Sequence, residues 1–268
     1  MKILIKGAGD LASGIAYRLK KAGYQILMTE IEIPLTVRRT VAFSRAVYEL
    51  EAEVEGIKGI LIHSPSEIGE VWKQGNIPVI VDEYASVQRE YQAEVIVDAI
   101  IAKHNLGTTM EDAPLVIGVG PGFEAGKDCH AVIETKRGHY LGKVIWEGSA
   151  IPNTGIPGEI GGFTTERIIR ATADGEFQPS THISDMVEKD QVVAFSGGEP
   201  IKAQMSGIIR GMLQPGVKVI KGMKCGDIDS RCEIDHCFTI SDKARAIAGG
   251  VLEAVSGYEH LISGGKDE

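Results

Sequence analysis

The first thirty residues constrain the fold most. Residues 2–6, KILIK, read as a short buried strand, and GAGDLASG follows it. Leu11, Ile15, Leu19 and Ala22 then recur at three- and four-residue steps, which is one face of a helix. Asp10 suits the N-cap, and Gly23 suits the helix stop. QILMT at 25–29 reads as a second strand. Strand, glycine-rich turn, helix and second strand at this spacing make a βαβ opening.

The alternation continues downstream. Residues 40–48 and 67–73 read as helices; 58–63, PVIV at 78–81 and EVIVDAII at 94–101 read as strands. The expected fold class is therefore α/β: an N-terminal Rossmann-like doubly wound sheet followed by a β-rich α+β C-terminal region. The texture changes near HNLGTTMEDAP at 104–114. We place a Rossmann-like nucleotide-binding domain at 1–108 and a β-rich domain with a terminal helix at 109–268. Glycine-rich loops stand at 118–126, 152–162 and 195–200, and a small barrel or sandwich is expected within 190–228. The last helix begins after Ser241, with Ala244, Ile247, Ala248, Val251, Leu252 and Val255 on its apolar face. Gly249 and Gly250 lie inside it at a cost of about 1 kcal/mol each, so close backbone packing is expected there.

The 268 residues carry a formal net charge of -9. That balance opposes general binding to nucleic acid or an anionic membrane. The apolar stretch of MKILIKGAG is too short for a signal-peptide core, and no run approaches the roughly 18 apolar residues of a membrane span. A cytoplasmic location with free thiols is expected for Cys129, Cys225, Cys232 and Cys237.

Gly7, Gly9 and Gly14, with Ala12 at the third fingerprint position, form the turn after the first strand. Such a turn can bring a pyrophosphate against the amides of a helix N-terminus. Glu30, at the end of the second strand, can accept hydrogen bonds from a ribose. Asp10 opposes an anion at the same loop unless it serves only as a cap. Arg38 and Arg39 can clamp a phosphate. The plain alternatives are an inherited turn that binds nothing and an ion-paired surface Arg pair.

A second cluster lies in DCHAVIETKRGHY. Strand alternation puts Asp128, His130 and Glu134 on one face, with Arg137 and His139 in the following turn. These five are candidates for acid–base catalysis. Asp128, His130 and Glu134 could also hold a divalent metal, although a solvated sheet face explains them as well, and no metal site is assigned. Cys225, Cys232 and Cys237, with His236, are spaced too widely for a usual zinc site. Lys224 follows Met223 but lacks the flanking pattern of a lysine that carries a covalent cofactor.

The stretches GAGDLASGIAYRL, MTEIEIPLTVRRTVAFSRAVY, GVGPGFEAG, HAVIETKRGHYLGKVI, PNTGIPGEIGG, KCGDIDSR and SDKARAIAGGVLEA occur in order along almost the whole chain. As a set they resemble the YqeB-type accessory proteins of selenium-dependent molybdenum hydroxylases; Ser230 stands where that pattern has Pro. The resemblance implies a role in maturing such a hydroxylase as its partner. The implied ligand is a phosphate-bearing or nucleotide-containing small molecule, either a molybdopterin-type cofactor or a dinucleotide. It transfers no catalytic residue. An NAD(P)-dependent oxidoreductase and a non-catalytic scaffold that docks the hydroxylase are the alternatives, and a homo-oligomer is compatible with each. Selenium delivery would need a nucleophilic thiolate, for which Cys129 and Cys232 are candidates.

Overall fold

The computed structural model of the chain describes residues 1–155 and 158–264. The loop at 152–162 thus lies partly outside the described residues. In chain order the elements are β1 (Lys2–Lys6), α1 (Asp10–Lys21), β2 (Gln25–Glu30), α2 (Ala46–Glu49), β3 (Glu51–Val54), β4 (Ile57–Ile62), α3 (Ile68–Lys73), β5 (Ile77–Val81), α4 (Gln88–Tyr91) and β6 (Val95–Asp98). Next come β7 (Leu115–Val119), β8 (Glu124–Ala125), β9 (Ala131–Ile133), β10 (Val144–Ile145), β11 (Gly148–Ser149), β12 (Ile168–Arg170) and β13 (Gly175–Pro179). The chain continues through β14 (Met186–Val187), β15 (Val192–Ser196), β16 (Glu199–Lys202), β17 (Gly207–Met212), β18 (Lys218–Val219), β19 (Lys224–Asp229) and α5 (Asp242–Gly264).

One sheet of nine strands runs in the order β10-β9-β7-β6-β1-β2-β5-β4-β3. Its inner strands are parallel, whereas β3 and β10 pair antiparallel at the two edges. Two four-stranded antiparallel sheets, β12-β19-β17-β14 and β16-β15-β13-β18, follow it. Leu4, Leu27, Ile96, Val116 and Val132 cover one face of the large sheet, and Ile3, Ile5, Val95, Val97 and Ile133 the other. Burial on both faces accounts for the continuous apolar runs in these strands. A second core fills the space between the small sheets, with Phe177, Val193 and Ile201 against Ile169, Ile209, Met212 and Ile228.

This architecture corrects the expected fold class. The large sheet is mixed, and it takes strands from both sides of residue 108. It is not a Rossmann-like doubly wound sheet. Among the described residues only helices α1 and α5 exceed six residues, and they lie together on one face. The physical reason shows in the segment at 40–48, which the sequence pattern reads as one helix. It breaks into short 3-10 turns and the four-residue α2. Phe43 N–H donates to Ser13 Oγ (2.8 Å) and Ser44 N–H to the Ala8 carbonyl (2.8 Å). Those tertiary bonds divert the backbone groups an α-helix would use.

α1 and α5 pack at close range. A Cβ at Gly14 would lie 2.9 Å from Ala244 Cβ. In α5, the expected close approach occurs at Gly250, whose Cβ would run into the Gly142 carbonyl. Gly249 differs, because a Cβ there would meet only Arg18 Nη1 at 3.6 Å. Gly257 has open space. Gly250→Ala is therefore expected to lower the unfolding free energy by about 1–3 kcal/mol through overpacking. Gly257→Ala should raise it by up to about 1 kcal/mol through helix propensity. Urea denaturation of both variants checks the pair; a stabilising Gly250→Ala would refute the packing argument.

Candidate functional site

A cleft of about 590 Å³ opens where the start of α1 and the start of α5 meet the sheet β12-β19-β17-β14. Asp10 and Leu11 line it from α1, Ser241 and Lys243 from the start of α5. Arg210 on β17, Lys224 and Asp227 on β19, and Arg167 just before β12 line it from the sheet. Lys136 and Arg137 enter after β9, and Arg38 follows β2. Seven cationic side chains thus face the cleft against two carboxylates, in a chain whose net charge is -9.

Local structure explains how these cations come to lie there. The β17–β19 register shifts between Ile209 and Gly211, so Arg210 sits at a bulge. A bulge re-aims its side chain out of the regular ladder. Arg210 is buried, and its Nε donates to the His236 carbonyl at 3.2 Å. Its Nη1 lies 3.6 Å from Asp229 Oδ2. Arg38 is also buried: Nη1 donates to both Asp10 carboxylate oxygens (3.1 and 3.0 Å), and Nη2 donates to the carbonyls of His236 and Thr239 (3.0 and 2.9 Å). Its Nε is buried without a partner among the described residues. Arg167 pairs with Asp227, and Arg137 is bidentate to Asp242 (2.5 and 2.9 Å).

Lys136, Lys224 and Lys243 form no ion pair among the described residues. Desolvation lowers the Lys224 ammonium pKa, with Arg167 adding to the effect against Asp227. Desolvation also lowers that of Lys243, and the neighbouring charge of Arg137 acts the same way. Lys243 stands in the first turn of α5, the positive end of the helix dipole, where a cation is locally unfavourable. The starts of two helices and an excess of cations give this cleft a positive electrostatic character.

Three of the sequence-predicted residues, Asp10, Arg38 and Arg137, line the cleft. The glycine loop does not present its first amides to a ligand. Gly7 N–H donates to the Thr29 carbonyl (2.9 Å), and Ala8 N–H to Glu30 Oε2 (3.0 Å). Glu30 accepts a second bond from Ile31 N–H at 2.8 Å. Burial raises the Glu30 pKa against these two bonds. Both of its oxygens are engaged with backbone. Gly9 precedes α1 as its cap, and Gly14 serves helix packing. Arg39 points elsewhere, donating to the Met212 carbonyl and Gln214 Oε1.

The second predicted cluster separates in space. Asp128 accepts from Glu124 N–H (2.9 Å) and His130 Nδ1 accepts from Val116 N–H (3.0 Å). His139 packs edge-on against Tyr140. Glu134 is 2% exposed and accepts from Lys136 N–H (2.7 Å) and Ile151 N–H (2.8 Å). It therefore positions two cleft-lining segments without facing the cleft itself. No group of three or more His, Cys, Asp or Glu able to hold a metal occurs among the described residues. Cys129 is fully buried, and burial pushes its thiol up to about 11, which disfavours the thiolate that selenium transfer would use.

Sequence reasoning missed Lys136, Arg167, Arg210, Lys224 and Lys243 as site residues. Two of them carried a readable signal. Arg210 interrupts the apolar run GIIRGM, and Lys243 occupies a helix start where an acid is the favoured residue.

Fold and site together define a mixed α/β protein with a cationic cleft between two helix starts. The chain is 49% identical over 258 residues to the Uncharacterized protein YqeB of Escherichia coli (strain K12), an alignment covering 96% of this chain. That identity supports the YqeB family for the chain. The chain spans about half the length of this curated relative, 48%. No family model matches. Among solved structures, an aspartoacylase family protein from Mesorhizobium loti aligns over 85% of this chain and 84% of its own, at 10% identity and a TM-score of 0.27. A succinylglutamate desuccinylase/aspartoacylase from Rhodobacter sphaeroides aligns over 85% of each chain, at 14% identity and a TM-score of 0.27. Scores this low lend the chain neither a fold nor a function. Among the described residues, no helix is long and apolar enough to cross a membrane.

Glu134→Ala should lower the unfolding free energy by about 3 kcal/mol, because two buried amides lose a charged acceptor. Glu134→Gln should cost less, and denaturant titration distinguishes the two. Asp229 provides a pH signature. Burial works to raise its pKa, but hydrogen bonds and charge from Arg231, together with Arg210, hold it at about 2 against an ordinary 3.8. A depressed folded-state pKa contributes stability above the unfolded value and loses it as pH falls through the folded one. The stability gap between the protein and Asp229→Asn should be constant above about pH 5 and narrow from about pH 4 to pH 2. A gap that widens on acidification would contradict this assignment.

Proposed function

We propose that this protein binds a phosphate- or nucleotide-bearing cofactor in the cationic cleft and acts as an accessory in maturing a selenium-dependent molybdenum hydroxylase. One observation carries the binding half of the reading: seven cationic side chains and two helix starts converge on a single cleft of about 590 Å³. The hydroxylase half rests on the resemblance of the ordered motifs to that accessory family. A molybdopterin-type cofactor carries phosphate and fits the charge of the cleft. A nicotinamide dinucleotide is less favoured, because Glu30 and the Gly7–Ala8 amides already satisfy one another. Arg210 would contact the anion, Arg38 would fix the starts of α1 and α5 around it, and Glu134 would position the Lys136 and Ile151 segments.

Removing the gene from a host that makes such a hydroxylase tests the reading. The hydroxylase should accumulate with little active cofactor, measured as molybdenum content and turnover. Complementation by the Arg210→Met variant should fail, whereas Lys73→Met, altered on the far surface helix α3, should restore both. A fully loaded, active hydroxylase in the deletion strain would overturn the proposal.

A further inference from the structure

We infer that the ligand of this cleft is an organic diphosphate with at least three negative charges, rather than a phosphate monoester. The inference deepens the cofactor-binding reading and rests on it. It follows from which cations in the cleft already have partners. Arg38 is neutralised by Asp10, Arg167 by Asp227 and Arg137 by Asp242. Arg210 lies beside Asp229. Three ammonium groups, those of Lys136, Lys224 and Lys243, form no ion pair among the described residues.

Lys224 and Lys243 also have cationic neighbours. Lys243 is desolvated and repelled by Arg137 and Lys224 against the pull of Asp10 and Glu134, and Lys224 is desolvated, with Arg167 opposing Asp227 and Asp10. Like charges gathered in a partly desolvated cleft repel one another, and Lys243 adds the dipole conflict at the start of α5. A ligand that relieves this arrangement must supply charge comparable to what is unmatched. A phosphate monoester carries about two charges at most near neutral pH. A second phosphoryl group supplies the remainder and spans more of the cleft. The organic part follows from the rest of the lining. Leu11, Pro121, Ile151, Pro152 and Ile160 also face the cleft, and such side chains favour a ring or alkyl group over bulk water.

Isothermal titration of the full chain with ADP, AMP, inorganic pyrophosphate and inorganic phosphate tests this, with ADP and AMP as generic probes of phosphate number. ADP should bind at least tenfold more tightly than AMP, and pyrophosphate more tightly than phosphate. Lys224→Met and Lys243→Met should each shrink the ADP-to-AMP ratio towards one. Lys224→Arg and Lys243→Arg, which keep the charge, should retain it, and circular dichroism identifies any variant that fails to fold. Equal affinities for ADP and AMP would overturn this inference while leaving the cleft an anion receptor. Absence of binding by all four probes at low salt would overturn both it and the cofactor-binding reading.

Discussion

The Arg38 guanidinium is the junction on which the arrangement of the site depends. One of its terminal nitrogens holds the Asp10 carboxylate at the start of α1, and the other holds two carbonyls in the segment just before α5. Arg suits this task because its planar fork serves several acceptors at once, which a Lys ammonium cannot match in fixed directions. The pair is largely buried, so removing either partner would strand a charge in a desolvated place. Through this one side chain, the turn after β1 is tied to a segment some two hundred residues away in sequence. The close packing of Gly14 on Ala244 then sets α1 against α5. Both helix starts consequently open on the same cleft.

How much of this was legible in the sequence varies with the range of the interactions involved. The opening β1–α1–β2 unit and the terminal α5 form where hydrophobic periodicity places them, since local pattern and burial agree there. The layered architecture was not legible. Strand order, the antiparallel edges and the loss of a helix at 40–48 depend on long-range bonds such as Phe43 N–H to Ser13 Oγ. Periodicity carries no record of those partners. The same limit explains the site. Asp10, Arg38 and Arg137 stood out by residue type, but Arg210 became a cleft residue only through a bulge, and Lys224 only through the pairing of β19.

The glycine-rich turn illustrates how a sequence feature can serve two physical purposes. Small residues are needed where a backbone approaches a pyrophosphate, and equally where it approaches protein. Gly7 has φ +91°, and a Cβ there would crowd the Ala99 carbonyl at 3.2 Å. Gly14 gives way to a neighbouring helix. Glu30 reaches the Ala8 amide that a ligand oxygen would otherwise use. Gly7 and Gly14 are thus accounted for by the packing of the chain on itself, and the cations that could attract a ligand line the cleft beyond Asp10.

That displacement bears on selectivity. The chain's net charge is -9, so an extended polyanion such as nucleic acid would meet net repulsion. A small anion meets it only on approach, and then enters a cleft lined by seven cationic side chains that concentrate positive potential. The carboxylates within the cleft sharpen the distinction. Asp10 and Asp227 hold Arg38 and Arg167 in fixed orientation; Arg38 spends its terminal donors on the protein, Arg167 offers its remaining N–H groups in a fixed direction, and the unpaired lysines supply adjustable charge. A site built from both kinds of cation can recognise the shape of one phosphoryl group and the total charge of its neighbour. A uniform patch of surface lysines offers only the second of these.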